Sequence, residues 1–186
     1  MNYSDFLPTS DDVELRKILW SLYCYAEKEA MAFCNPGNPW INIRFVREAK
    51  LGELDGFWVW HEIPAQWAEM GLRPKNEDKG IAFHEVFHST FHESPLYYDP
   101  KNLLWGDAFC DAFRYFMEEI QLCGKSEWLR DFKAYFGNFE RQKGDNYRGW
   151  GSLIVSHCNR DYEEFKKFWT IRNTQSNIPI STLFGF

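Results

Sequence analysis

The stretch GIAFHEVFH, residues 80–88, decides how the fold of this sequence is interpreted. It contains His-Glu-x-x-His with no proline, and residues at i and i+4 lie one above the other on the same face of a helix. His84 and His88 can therefore reach one ion from a single helix. A second stripe, offset by one residue, can be buried in a core; it consists of Phe83, Phe87 and Phe91. We predict a helix over 76–92 whose histidines face a cleft.

The two histidines of this helix predict a metal site. Zn²⁺ accepts imidazole nitrogen readily and takes four ligands in a tetrahedron. Glu85 follows the first histidine, so it would lie beside the ion without binding it and could take a proton from the metal-bound water. We predict that His84 and His88 bind Zn²⁺ and that Glu85 is a general base. An amphipathic helix with a polar histidine face and no metal is the alternative.

A third, acidic ligand is expected on the next helix, which we predict over 103–122. Asp107 and Asp111 are again four residues apart in this segment. One carboxylate can bind the metal, and the other can accept the free N–H of a ligand histidine and so determine its tautomer. We predict Asp107 as the ligand and Asp111 as the partner of a histidine. Alternatively, both aspartates lie in the first turn and favour the helix dipole.

Weaker candidates accompany this constellation. His92 lies one turn beyond His88 and could contact a substrate, replace a ligand or cap the helix. Stabilisation of an oxyanion needs a hydrogen-bond donor, and the candidates, each equally typical of ordinary surface or core, are Tyr97, Tyr98, Tyr147, Arg148 and His157. The strand predicted over 57–63 could align an extended peptide by backbone pairing or could be plain core sheet.

The remaining pattern is helix-rich with one small antiparallel or mixed sheet packed on the histidine helix, an α+β fold. The length of 186 residues is typical of one domain, which we assign to residues 1–186. The predicted elements are helices over 10–33, 64–70, 126–136 and 161–171, paired strands over 41–48 and 57–63, loops over 93–101 and 138–151, and an irregular tail over 173–186.

The composition excludes several classes of protein. Hydrophobic residues make up 45% of the chain, enough for a packed core. A net charge of −6 without a lysine and arginine cluster disfavours nucleic acid and anionic membranes as partners. We see no apolar run of the roughly 20 residues that a membrane span needs and no signal peptide, so we expect a cytoplasmic protein. Five cysteines without a CxxC pair favour reduced, mostly buried thiols, although one or two disulfides stay possible.

These motifs resemble the HExxH zincin metallopeptidases, in the gluzincin-like group with an acidic third ligand. That group follows HExxH with Asn-Glu-x-x-x-Asp, to which GDAFCD at residues 106–111 is similar. The sequence departs from the pattern in having Asp at the ligand position, and Asp is one methylene shorter, so the second helix must approach more closely. Residues 84–120 also resemble the zincin-like domains of phage and plasmid polyvalent proteins.

The resemblance implies one zincin-like metallopeptidase domain, a Zn²⁺ cofactor and a peptide or protein substrate. It implies Glu85 as the general base of peptide hydrolysis. Three alternatives remain: a catalytically silent zincin-like binding or regulatory protein, a metal-free helical interaction domain, and a zinc hydrolase that acts on something other than peptides.

Overall fold

The computed structural model describes residues 13–34, 43–45, 56–61, 67–72, 78–91, 103–142 and 147–174. Helices predominate in these ranges and three short strands form one sheet, which confirms the α+β prediction. In chain order the elements are α1 (Val13–Met31), β1 (Ile43–Phe45), β2 (Gly56–His61), β3 (Trp67–Leu72), α2 (Ile81–Phe87) with a following 3-10 turn (His88–Phe91), α3 (Leu103–Gln121), α4 (Glu127–Lys133), α5 (Phe139–Gln142), α6 (Tyr147–His157) and α7 (Tyr162–Thr174). Among the described helices, none combines the length and the apolar character needed to cross a membrane.

The centre of the sheet is β3, which runs parallel to β1 and antiparallel to β2. The helix predicted over 64–70 is therefore wrong in its described part. Ala68, Met70 and Leu72 alternate along β3 and are buried, and pairing on both sides satisfies the backbone of the strand. These contacts outweigh the weak strand propensity of Ala, Glu, Met and Gly. The predicted direct pairing of β1 with β2 is also wrong, because β3 lies between them.

An aromatic core fixes α2 from behind. Phe83 and Phe87 are fully buried, which confirms the predicted stripe at these two positions. Phe87 stacks on Phe113 of α3 with ring centroids 4.4 Å apart and meets the edge of Trp169 of α7 at 5.2 Å. Such ring pairs contribute about 0.5–1.5 kcal/mol each beyond their buried area. The histidines are offset by one residue from this stripe and therefore lie on a neighbouring face of α2.

The helix α3, which equals α1 in length at 19 residues, packs closely along α6. A Cβ atom at Gly151 of α6 would lie 2.9 Å from the carbonyl oxygen of Ala108 and 3.0 Å from Cβ of Asp111. Only glycine permits this approach of the two helices. The loop predicted over 138–151 is therefore wrong in its described part, because α5 and the first half of α6 occupy it. Gly151, whose residue type is typical of a loop, serves here to let two helices pack closely.

Several predicted boundaries moved by a few residues. The histidine helix begins at Ile81 and passes into the 3-10 turn at His88. Ser126 caps α4 by accepting a hydrogen bond from the backbone N–H of Leu129 at 3.0 Å. None of the five cysteines, all of which are described, forms a disulfide; Cys110 and Cys158 are buried, whereas Cys24 and Cys123 are exposed. The loop predicted over 93–101 and the tail from residue 175 lie outside the described residues.

Candidate metal centre

Two helices bring two imidazoles and one carboxylate to a common point. Nε2 of His84 and Nε2 of His88 each lie 3.4 Å from Oδ1 of Asp107. This separation is longer than an ordinary hydrogen bond. It matches the distance of about 3.4 Å between neighbouring ligands of a tetrahedral zinc ion whose bonds are about 2.0–2.1 Å long. Asp107 thus lies between the two histidines, at a separation from each that matches two ligands of one zinc ion.

A second aspartate orients the first histidine. Oδ1 of Asp111 lies 2.8 Å from Nδ1 of His84, and Asp111 is 1% exposed. A proton on Nδ1 is held by this carboxylate, so the lone pair of a neutral His84 lies on Nε2, the atom that faces Asp107. The helix α3 begins at Leu103, so both aspartates lie beyond its first turn, and the alternative that they favour the helix dipole there is wrong.

The electrostatics of the cluster favour a cation. Burial lowers the pKa of His84, but its contacts with Asp107 and Asp111 outweigh this effect and raise the pKa to about 10. Burial likewise opposes ionisation of Asp107, yet the two imidazoles hold the pKa of this carboxyl well below its usual range. Without a metal, the carboxylates therefore keep a proton on His84. A zinc ion would replace that proton as the positive charge.

The donor set fits zinc. Two imidazole nitrogens and one carboxylate oxygen are the ligands of one class of catalytic zinc site, in which a fourth position is left for water or substrate. The buried Oδ2 atom of Asp111 has no hydrogen-bond partner among the described residues.

A buried thiol lies next to the two histidines. One ring nitrogen of His84, one of His88 and Sγ of Cys110 lie within 4.8 Å of one another. Burial raises the pKa of the Cys110 thiol well above its usual range in the metal-free protein, but a bound metal ion deprotonates a thiol that coordinates it, so Cys110 is a second candidate for the third ligand beside Asp107. Cys110 is not among the metal ligands predicted from the sequence, although its position three residues after Asp107 places the two residues on one side of α3.

The carboxylate of Glu85 lies against the sheet. Glu85 is 6% exposed, and a Cβ atom at Gly56 of β2 would lie 2.8 Å from its Oε1. Burial raises the pKa of Glu85, whereas His84 and His88 oppose this shift. A cavity of about 330 Å³ opens at this place, and the residues that line it include Gly56, Ile81, His84, Glu85, Tyr147 and Arg148. Glu85 therefore adjoins both a histidine of the cluster and the cavity.

A tryptophan supports the second histidine. The indole of Trp58, on β2, stacks on the ring of His88 with centroids 5.9 Å apart and an interplanar angle of 23°. Its Nε1 donates a hydrogen bond to Oγ of Ser89 at 2.9 Å. Trp58 thus holds the imidazole plane from the side of the sheet. Sequence reasoning missed this residue, because no motif spacing relates β2 to the histidines.

Of the five predicted donors for an oxyanion, the structure places two in the cavity. The ring of Tyr147 lies 6.1 Å from that of His84, centroid to centroid, and Arg148 follows it at the beginning of α6. Burial raises the pKa of Tyr147, so its phenol stays protonated and can donate. His157 lies at the other end of α6, against Phe168. The remaining two donors, Tyr97 and Tyr98, lie outside the described residues, and so does His92, the candidate beyond His88.

A buried ion network holds the beginning of α2. Arg114 of α3 donates from Nε to Glu118 at 2.7 Å and from Nη2 to Asp78. Ser126 donates to the second oxygen of Glu118, and Glu118 lies so close to Gly80 that a Cβ atom there would collide with its carboxylate. The network ties the residues that precede α2 to α3 and α4. Glu118 is therefore committed to structure, as its distance from the predicted ligands suggests.

A larger cavity of about 620 Å³ lies farther along α3. It is lined by Tyr115, Phe116, Ile120 and Phe136, together with the ion pair between Glu119 and Lys133. Its size exceeds that of the cavity beside Glu85, but it brings together no pair of imidazoles. The smaller cavity is therefore the candidate site.

Comparisons of the chain with protein-family models, curated proteins and solved structures returned no match. Function is therefore inferred from the side chains of α2, α3 and α6.

Proposed function

We propose that this chain is a zinc-dependent metallopeptidase with a zincin-like fold. One observation carries the proposal: Nε2 of His84 and Nε2 of His88 both lie 3.4 Å from the same oxygen of Asp107. The neighbouring Glu85 reaches the adjoining cavity. Ligand spacing, a free face for substrate and a buried carboxylate together support hydrolysis better than a purely structural metal site.

The proposed roles follow from the positions of the side chains. His84, His88 and Asp107 would hold Zn²⁺, and Asp111 would keep His84 in the ligating tautomer. Zinc, when bound, lowers the pKa of a water molecule towards about 7 and polarises a carbonyl group. Glu85 takes a proton from the attacking water and passes it to the amine that leaves. The buried position of Glu85 raises its pKa, which suits a group that both accepts and donates.

A hydrogen-bond donor would complete the site. Negative charge develops on the carbonyl oxygen of the substrate during attack by water. Tyr147 lines the same cavity as Glu85 and carries a protonated phenol. We assign to Tyr147 the donation of a hydrogen bond to this oxygen.

The edge of the sheet supports a peptide as the substrate. Within the described part of the sheet, β2 pairs only with β3, and a strand in this position is the kind along which an extended peptide can pair. Gly56 at the start of β2 lines the cavity and contacts Glu85. A peptide paired along β2 would pass over the general base.

The test measures zinc and hydrolysis separately. Elemental analysis of the natively purified protein should find about one zinc ion per chain. The wild type should cleave members of a peptide library, as detected by mass spectrometry. Glu85→Gln should keep the zinc and lose cleavage, because glutamine cannot accept the proton. Glu119→Gln, on the far side of α3 and paired with Lys133, is the matched control and should keep both properties.

Other outcomes identify the alternatives. A zinc content near zero would favour the metal-free interaction domain. A library left intact by the zinc-bound wild type would favour a silent binding protein or a hydrolase of another substrate. Turnover that persists in Glu85→Gln would remove Glu85 from the reaction.

A further inference from the structure

The cavity beside Glu85 contains two guanidinium groups with different surroundings. Arg114 is 2% exposed and lies with its guanidinium carbon 4.0 Å from the centre of the Trp128 ring. Glu118 and Asp78 accept its hydrogen bonds. Two carboxylates balance its charge, so Arg114 belongs to the ion network that holds the beginning of α2.

Arg148 is the other guanidinium of the cavity. Its guanidinium carbon lies 5.8 Å from the centroid of the Trp128 ring, farther than that of Arg114. It forms no ion pair with any carboxylate of the described residues. It is half-buried and borders the cavity. A guanidinium presents a planar fork of N–H donors that matches a carboxylate, and the ring beside it limits its freedom to move.

The described carboxylates that line the cavity do not pair with Arg148. Asp78 pairs with Arg114, and Asp111 pairs with His84. Glu85 lies against Gly56 of β2. The cavity therefore offers one positive group that its own carboxylates leave unmatched.

We propose that Arg148 binds a carboxylate of the substrate next to the scissile bond. The inference rests on the proposed peptidase function and specifies its substrate class: peptides in which the residue at this position carries a carboxylate. The carboxylate has two possible sources, the C-terminus of the peptide or an Asp or Glu side chain. A cavity of about 330 Å³, near the lower end of the range for small-molecule sites, suits one such residue.

The first test measures binding to the zinc-loaded protein without turnover. The probes are N-hydroxysuccinamic acid, a hydroxamate with a free carboxylate, and the same compound with that carboxyl group converted to an amide. Calorimetry should show that the acid binds roughly 10- to 100-fold more tightly, the range expected for a charged hydrogen-bonded pair. Arg148→Gln should reduce this ratio to near one. Arg141→Gln, an exposed arginine beside Tyr135, should leave it unchanged.

The second test identifies the source of the carboxylate. One peptide pair differs in a free or amidated C-terminus, and the other differs in Glu or Gln beside the scissile bond. Rates should favour the carboxylate member of at least one pair, and Arg148→Gln should abolish that preference. An equal loss of rate for all four peptides would assign Arg148 to oxyanion stabilisation and overturn the inference.

Failure of the inference is distinguishable from failure of the proposed function. Cleavage of all four peptides without preference, with equal binding of both hydroxamates, overturns the role of Arg148 and leaves the peptidase intact. A zinc-loaded protein that cleaves no peptide overturns the peptidase, and the hydroxamate ratio then decides the role of Arg148 by itself. A protein that binds no zinc overturns both.

Discussion

Asp111 meets His84 at a distance of 2.8 Å in a part of the molecule from which solvent is almost excluded. The same histidine presents its other nitrogen to Asp107. Each ring nitrogen of His84 therefore faces one carboxylate, and the two carboxylates come from successive turns of α3. This arrangement supports different roles for two aspartates that are equivalent in sequence spacing: under the proposed function, Asp107 would be the ligand and Asp111 would orient the histidine.

The first prediction separates these two roles. Asp111→Asn should weaken zinc binding by roughly 10- to 100-fold, because the amide holds the imidazole less firmly and leaves it less basic. Asp107→Asn should weaken binding more, because it removes a negatively charged ligand. Competition with a chelator of known affinity measures both changes. Asp131→Asn, on the exposed side of α4, is the control; an effect of Asp111→Asn no larger than that of this variant would contradict the assignment.

The second prediction concerns pH. In the metal-free protein the pKa of His84 is about 10, above the value of about 6.5 in an unfolded chain. Its protonation therefore stabilises the fold fully below pH 6.5, and this contribution is lost as pH rises towards 10. Zinc requires an unprotonated imidazole, so stabilisation by zinc increases over the same window. Raising the pH from 6.5 to 8.5 should thus lower the free energy of unfolding with a chelator present and increase the gain from added zinc.

Urea unfolding at several pH values checks this prediction. His84→Gln is the reference, because it removes the titrating group from the metal-free protein. The difference in unfolding free energy between wild type and variant isolates His84 from other residues that titrate in the same range. A difference that does not change with pH would show that the two aspartates do not hold a proton on His84.

The parts of the fold that sequence reasoning predicted correctly depend on local spacing. The helix α1, the phenylalanine stripe of α2, and α3 carry a strong helical period within one continuous segment. The histidine pair and the aspartate pair each repeat at i, i+4, so their faces could be assigned before their helices were placed together. That the two faces meet was an expectation from the resemblance, and the contact between Asp107 and the imidazoles supplies its geometry.

The errors arise where partners distant in the chain determine the structure. The segment of β3, WAEMGL, contains residues that favour helices, and its strand conformation comes from pairing with β1 and β2. Gly151 indicates a loop by its identity, but it lies in a helix. Glycine is required at this position because the carbonyl oxygen of Ala108 leaves no room for a side chain. Trp58 cannot be identified from local spacing for the same reason, because its contact with His88 depends on how β2 packs against α2.

The third prediction tests the support that Trp58 gives to His88. Trp58→Leu removes both the ring stacked on the imidazole and the donor to Ser89. Because an aromatic pair contributes about 0.5–1.5 kcal/mol, zinc affinity should fall by roughly 2- to 10-fold. Trp58→Phe keeps a ring and should lose less. Trp20→Phe is the control. Trp20 lies on α1, where its ring stacks on Tyr23, and this variant should not change the zinc affinity measured by chelator competition.

The fourth prediction uses two glycines that differ in the space around them. Gly56→Ala places a methyl group 2.8 Å from Oε1 of Glu85 and 3.0 Å from the side chain of Ile81. Glu85 must then move, so peptide cleavage should fall by roughly 100-fold, while the zinc content is retained, because the three atoms nearest to the methyl group belong to Glu85 and Ile81 and not to a histidine. Overpacking should also lower the free energy of unfolding by about 1–3 kcal/mol.

Gly106→Ala provides the matched comparison. Gly106 precedes the ligand Asp107, yet a Cβ atom there meets no heavy atom within 4 Å. Because alanine favours a helix over glycine by up to about 1 kcal/mol, this variant should be as stable as the wild type or more stable, with zinc content and cleavage unchanged. Loss of zinc from Gly56→Ala would mean that β2 supports the ligands rather than the base. Full cleavage by Gly56→Ala would mean that Glu85 does not act from the position described.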